Sequence, residues 1–316
     1  MLGLVALSTA PVHPAFPRLL SKLTNSLHPY QNEIPIGAPR PTTFLLGIFT
    51  TAREKDAVQN GLIRQSYLSI GDARICSLEE FIRQAEETPD ERVCKVPYTF
   101  VIGGGGDHRP TDHGDDEPLT VDSDHHGFAD PNGDCTYLNI KENMEYGKSP
   151  SWFKYAASIA KEYGIDYVGK VDNDSVISPH LLFQFIDDDL PITPFNRRIY
   201  GGLAQPSAKH SHLYGTGEFY FMSSDLADYV GHTLTAPERN ELMEHVEDAD
   251  MASFIFTNPN PIKFMNLRNF QLWTHPKKTA EEFSAAWDNE LDVKLPARSE
   301  LAWWHVCPIF MAGKGV

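Results

Sequence analysis

Tyr167-Val168-Gly169-Lys170-Val171-Asp172-Asn173-Asp174 is an apolar strand that runs straight into an Asp-x-Asp triplet. Gly164 turns the chain into it, and Ser178 followed by Pro179 reads as the N-cap and first position of a helix through Leu181, Leu182, Phe185 and Ile186. In open α/β sheets, ligands gather at the carboxyl ends of the strands. Two carboxylates one residue apart, where extended chain gives way to a turn, can both reach one cation. Such a cation would bridge diphosphate oxygens and neutralise charge on a departing nucleotide. Hard oxygen donors suit Mn²⁺ or Mg²⁺. An isolated Asp-x-Asp is usually a solvated turn. Asp187-Asp188-Asp189, after the helix and before Pro191, is read as a plain loop.

Upstream of this stretch, Phe44 to Phe49 has the length of a buried strand, and Arg53 to Leu68 reads as a helix with Val58, Leu62, Ile63 and Leu68 near one face. Tyr98 to Ile102 is a second strand, 150–163 a helix, and Asp166 to Val171 a third strand. Ile199 to Leu203, Phe219 to Met222 and Ile262 to Met265 read as strands. Ser224 to Val230, Asp248 to Phe256 and Thr279 to Asn289 read as helices. Strands alternating with helices predict an α/β sheet, parallel in its first half.

The chain has 316 residues, 41% of them hydrophobic, enough for one large α/β domain or two small ones. Its net charge of -16, from 43 acidic against 27 basic residues, argues against non-specific binding to nucleic acid or anionic membrane. Part of that acidity sits between Gly103 and Asp134, a polar insertion carrying His108, His113, Asp115, Asp116, Asp122, Asp124, His125 and His126, with little apolar residue to pack. Residues 1–41 hold seven prolines and read as a leader or stem, with 42–316 as the catalytic domain. Met1 to Ala10 is too short to span a bilayer, so a membrane would be met only through an anchor not visible in this chain. Cys76, Cys94, Cys135 and Cys307 form no CxxC pair; Cys76 with Cys94 is the nearest couple for a disulfide, and four unpaired thiols is the alternative.

Six blocks in order resemble the β-1,3-galactosyltransferase-like family, glycosyltransferase family 31. The strand into Asp172-Asn173-Asp174 with Leu181-Leu182 is similar to its donor-site strand. Phe44 to Ile48 followed by Leu62-Ile63-Arg64-Gln65-Ser66-Tyr67 resembles its first strand and I-R-x-T-W helix. Glu142, Asn143, Met144, Gly147 and Lys148 resemble E-N-M-x-x-G-K before the donor helix. Tyr214-Gly215-Thr216-Gly217-Glu218-Phe219 stands where the family has a glycine-rich turn. Val246-Glu247-Asp248 matches its E-D-V block. Leu272-Trp273-Thr274-His275-Pro276-Lys277-Lys278 through Trp287 resembles its late His, Lys and Trp segment. The likeness covers about 42–290. Tyr67, Ala249 and Glu218 depart from the pattern, as do the 103–134 insertion and the leader.

The resemblance implies an α/β fold of GT-A type, a mixed central sheet with helices on both faces. It implies an inverting hexosyltransferase moving galactose or N-acetylglucosamine from a UDP-sugar to a glycan or glycoprotein acceptor in β-1,3 linkage, in the Golgi. Asp172 and Asp174 would be the metal-side carboxylates, with Asp174 ahead as direct ligand. His275 would close the metal shell, with His305 as a rival. Asp248 would be the catalytic base, with Glu247 and Asp250 close enough to confuse the assignment, or Glu247 and Asp248 would only charge a helix N-terminus. Arg64 would meet the nucleotide or brace the sheet in an ion pair. Lys148 and Lys170 would meet the diphosphate, Asn173 would sit beside it without ligating, and Gly215 and Gly217 would let backbone approach the sugars. Two other readings remain at this stage: a catalytically weak or inactive relative that binds glycans or a partner, and a metal-dependent phosphohydrolase.

Overall fold

The run Phe44-Leu45-Leu46-Gly47-Ile48-Phe49 is buried along its whole length and forms strand β1. Unbroken hydrophobicity is what a strand covered on both faces requires. The computed structural model describes residues 40–88, 92–104, 132–143, 147–207, 212–268, 272–276, 279–291 and 303–306. After β1 come α1 (Glu54–Gln65), β2 (Ile75–Ser77), α2 (Leu78–Glu87), β3 (Val96–Gly103), β4 (Cys135–Leu138), α3 (Lys148–Tyr163) and β5 (Tyr167–Asp172). The chain continues through β6 (Val176–Ile177), α4 (Pro179–Gln184), β7 (Ile199–Pro206), β8 (Leu213–Ser223), α5 (Ser224–Asp228), α6 (Ala236–Leu242) and α7 (Glu247–Phe256). It ends in β9 (Ile262–Asn266), β10 (Trp273–Thr274), α8 (Ala280–Leu291) and β11 (Trp303–Val306).

The main sheet runs β11-β9-β7-β8-β5-β1-β3-β2, and β4 joins the far half of β3 beyond β2. The block around β1 is parallel, as the alternation of strands and helices predicts. β8 runs antiparallel to both β5 and β7, so the sheet as a whole is mixed. Strand side chains alternate between two cores. Leu45, Phe49, Val168, Tyr220 and Met222 pack on the face that carries α3, α5 and α7. Phe44, Leu46, Ile48, Tyr167, Val171, Phe219 and Phe221 pack on the face that carries Ile63 of α1, Leu181 and Leu182 of α4, and Phe283 of α8. Helices therefore cover both faces. Gly47 sits where α3 crosses β1 most tightly: a Cβ there would lie 2.5 Å from the Trp152 ring.

Several elements differ from the sequence reading. The glycine-rich stretch at Gly215 is not a turn but part of β8, eleven residues long. Its glycines allow a close strand crossing, since a Cβ on Gly202 would lie 2.6 Å from the Gly215 Cα. Helix α3 starts at Lys148, behind a left-handed Gly147, so Pro150 falls in its first turn, where no amide hydrogen is needed. Asp187-Asp188-Asp189 is not a loop but continues α4 as a wide helical turn, and Asp187 pairs with Lys95 at 2.6 Å. Ser178 does cap α4, its side chain accepting from the Leu181 amide. The leader lies outside the described residues except for Arg40 and Pro41, as does the insertion between 105 and 131 with all its histidines.

Cys76 and Cys94 are joined by a disulfide across 18 positions, tying β2 to the segment entering β3. A loop of that length is worth about 3 kcal/mol on chain-entropy grounds. Cys76→Ser is expected to lower stability by about that amount. Urea denaturation of the wild type, the variant and the reduced wild type checks it: the last two should coincide.

Candidate functional site

β5 pairs with β1 in a register that sets Asp172 beside Phe49, at the carboxyl edge of the parallel block. The chain turns there, with the Ser175 amide donating to the Asp172 carbonyl at 3.0 Å. Asn173 locks the turn to β1: its amide donates to the Phe49 carbonyl at 3.1 Å and its side-chain nitrogen to the Thr50 hydroxyl at 3.0 Å. Beyond the turn, β6 pairs antiparallel with β10, Thr274 opposite Val176. That two-residue ladder brings His275 next to Asp174 across a hundred positions of sequence, with Nε2 3.2 Å from Oδ2.

Lys170 points from β5 to the α7 face, fully buried. Its ammonium donates to the Gly217 carbonyl at 2.6 Å and pairs with Glu247 Oε2 at 3.2 Å. It also lies 2.8 Å from Asp172 Oδ1. Burial alone would lower the Lys170 pKa, but Asp172 and then Glu247 outweigh it, and the net shift is upward. Lys170 is therefore a fixed positive charge between two acidic groups.

Glu247 is held from three sides: its Oε1 accepts from Tyr220, at 2.6 Å, and from Ser149, while Lys170 meets Oε2. Asp250 is buried and accepts the amides of Glu244 and His245, which bends the chain into α7. Asp248 is different. Its Oδ2 accepts from the Gly217 amide at 2.9 Å and its Oδ1 from the adjacent Ala249 amide at 2.9 Å, and the residue stays half-buried. Burial raises its carboxyl pKa, and the neighbouring Glu247 charge adds to the rise. Burial raises the Asp250 carboxyl as well, but Asp250 is enclosed and spent on two amides, whereas Asp248 keeps partial exposure. Gly217 joins the two halves, its carbonyl on Lys170 and its amide on Asp248. A Cβ at Gly217 would stand 3.4 Å from both Lys170 Nζ and Glu247 Oε2.

Lys148 is buried too, donating to the Thr50 carbonyl at 2.6 Å and to Glu142 at 2.7 Å, whose other oxygen accepts from the Gly103 amide. Burial lowers its pKa and Glu142 partly offsets this. It clasps the ends of β1 and β3 from within. Arg64 forms a forked pair with Asp134, at 2.8 and 2.7 Å, above the Phe100 ring. This is the bracing role of the two weighed for it. Gly215 donates its amide to the Tyr200 hydroxyl and serves the strand crossing. His305 lies on the edge strand β11, in register with Lys263 of β9. Sequence reasoning treated Glu218 only as a departure, yet its Oε1 is 3.4 Å from His275 Nδ1. The missed signal was a carboxylate placed directly after Gly217. Among the described residues, no three His, Cys, Asp or Glu side chains form a ready-made metal cage.

No protein-family model and no curated protein matches the chain. Among solved structures, it is similar to the apo form of mouse xyloside xylosyltransferase 1, with 13% identity over 69% of this chain and 82% of that chain and a TM-score of 0.32. A likeness at that level assigns neither a family nor an activity.

Lys170→Met would leave Asp172 and Glu247 facing each other's charge without the cation between them. Breaking a buried pair from one side typically costs about 3–5 kcal/mol. The variant is expected to lose about that much stability by urea denaturation, and adding Glu247→Gln should recover part of the loss.

Proposed function

We propose that this protein is a cation-dependent glycosyltransferase of GT-A organisation. It would transfer a hexose, galactose or N-acetylglucosamine, from a UDP-sugar to a hydroxyl of a glycan or glycoprotein, with inversion and in β-1,3 linkage. The observation that carries the reading is the linkage of two acidic centres at one sheet edge. Asp174 and His275 sit together beyond β5, and Asp172 is joined through Lys170 and Gly217 to Asp248.

The residues fit Mn²⁺ or Mg²⁺. Neighbouring donors on a six-coordinate cation with bonds of about 2.1 Å lie roughly 3 Å apart, and Asp174 Oδ2 and His275 Nε2 are separated by 3.2 Å. Asp174 and His275 would hold the ion, with Asp172 beside them. When bound, the cation supplies positive charge that stabilises the leaving diphosphate. Asp248 takes the proton of the acceptor hydroxyl. The acceptor oxygen then forms a bond to the anomeric carbon from the face opposite the nucleotide, and the bond from that carbon to the β-phosphate oxygen breaks. Glu247 and Lys170 keep Asp248 and Asp172 in place. The Cys76–Cys94 disulfide suits an oxidising lumen such as the Golgi. Among the described residues, no helix is long and apolar enough to cross a membrane.

Release of UDP from UDP-galactose, UDP-N-acetylglucosamine or UDP-glucose should require Mn²⁺ or Mg²⁺ and vanish in Asp174→Ala. With an acceptor, Asp248→Asn should lower kcat by about 10²–10⁴-fold, the usual contribution of a general base. Folded protein that turns over no donor under any of these conditions contradicts the reading. The pH profile supplies a separate check. The base works ionised and its pKa is raised, so kcat/KM should fall as pH drops through a value above the ordinary aspartate pKa of about 3.9. An acid limb at or below that ordinary value would remove Asp248 from the role.

A further inference from the structure

We infer that Glu218 is a positioning residue that holds the imidazole of His275 by Nδ1 and so aims Nε2 at the seat shared with Asp174. The inference rests on the cation site proposed above and concerns a residue with no part in that reaction scheme.

The geometry builds from β8 and β10. Glu218 follows Gly217 on β8, and its carbonyl accepts from the Ser175 hydroxyl, one residue past Asp174. Its carboxylate is divided between two partners from the late ladder. Trp273 donates its indole N–H to Oε2 at 3.2 Å, and Oε1 lies 3.4 Å from His275 Nδ1. Indole nitrogen can only donate, so Oε2 is fixed as acceptor, which leaves Oε1 turned to the imidazole. An ionised carboxylate cannot donate, so Glu218 and Asp174 can each only accept from this ring; a cation seated between Nε2 and Asp174 would replace the hydrogen on Nε2 and leave Nδ1 to carry its hydrogen toward Glu218. Nε2 then points at Asp174 Oδ2, 3.2 Å away.

Metal-binding histidines commonly hand their second nitrogen to a carboxylate. That partner sets the ring's orientation and which nitrogen offers its lone pair, and losing it costs about 10–100-fold in metal affinity. Asp174, Glu218 and His275 are each about one-third exposed, at 30%, 35% and 34%, so the cluster opens to an incoming cation and diphosphate. Glu218 thus works through His275 rather than as a third ligand.

Mn²⁺ titration of the UDP-saturated protein by calorimetry, with Trp emission as a parallel readout, separates the possibilities. Glu218→Ala should weaken Mn²⁺ binding about 10–100-fold. Glu218→Gln should weaken it less, because an amide oxygen can still accept from Nδ1. In the diamagnetic Mg²⁺–UDP complex, ¹⁵N NMR should show His275 with hydrogen on Nδ1 in the wild type and Glu218→Gln, and lose that preference in Glu218→Ala. If Asp174→Ala loses Mn²⁺ while Glu218→Ala binds as tightly as the wild type, the inference on Glu218 fails and the functional reading stands. If the wild type itself binds no Mn²⁺ with UDP present, the functional reading fails and takes the cation role of this cluster with it.

Discussion

A lysine ammonium with no access to water holds this site together. Lys170 lies on β5, two residues before the strand ends, and must be charge-balanced where it stands, because an unpaired charge in the interior costs several kcal/mol. The balance comes from Asp172, further along the same strand, and from Glu247, at the start of α7. One side chain thereby fixes the distance between the edge of the parallel block and the helix that carries Asp248. Tyr220 and Ser149 hold Glu247 from its other oxygen, and Gly217 takes both a Lys170 donor and an Asp248 acceptor. Moving any of these groups would disturb both ends of the proposed reaction.

Much of the frame was legible from patterns that depend on neighbours in sequence. The apolar run at Phe44–Phe49, and the run at Tyr167–Val171 interrupted only by Lys170, are what doubly covered strands require, and both lie at the sheet's centre. Ser178 with Pro179 announced a helix start by local chemistry alone, and the structure places the cap there. Short elements were missed where no such pattern exists. β2 and β4 are three and four residues long, the first half-buried throughout and the second buried only at every other position, so their composition does not separate them from loop. β8 was half-hidden because its glycines imitate a turn, whereas they serve a close crossing with β7.

The site was legible in its types but not in its pairings. Asp172, Asp174, His275 and Asp248 were named from the sequence, and the fold sets Asp174 against His275 and ties Asp172 to the Asp248 region. The two buried lysines were expected to face a diphosphate, yet each is occupied inside the protein. Lys148 serves Thr50 and Glu142, and Lys170 serves Gly217, Glu247 and Asp172. A lysine in a sequence gives no sign of whether its ammonium ends in water or on a carbonyl, since the stem is apolar either way. The neighbours of His275 depended on a two-residue ladder far along the chain, a register that only tertiary packing determines.

The most direct measurement is the anomalous scattering of manganese in crystals grown with UDP and Mn²⁺. The account predicts one strong peak at the end of β5, within coordination distance of Asp174 and His275 Nε2 and bridged to diphosphate oxygens. A manganese peak away from that pair, or UDP bound with no metal between it and Asp174, would contradict it.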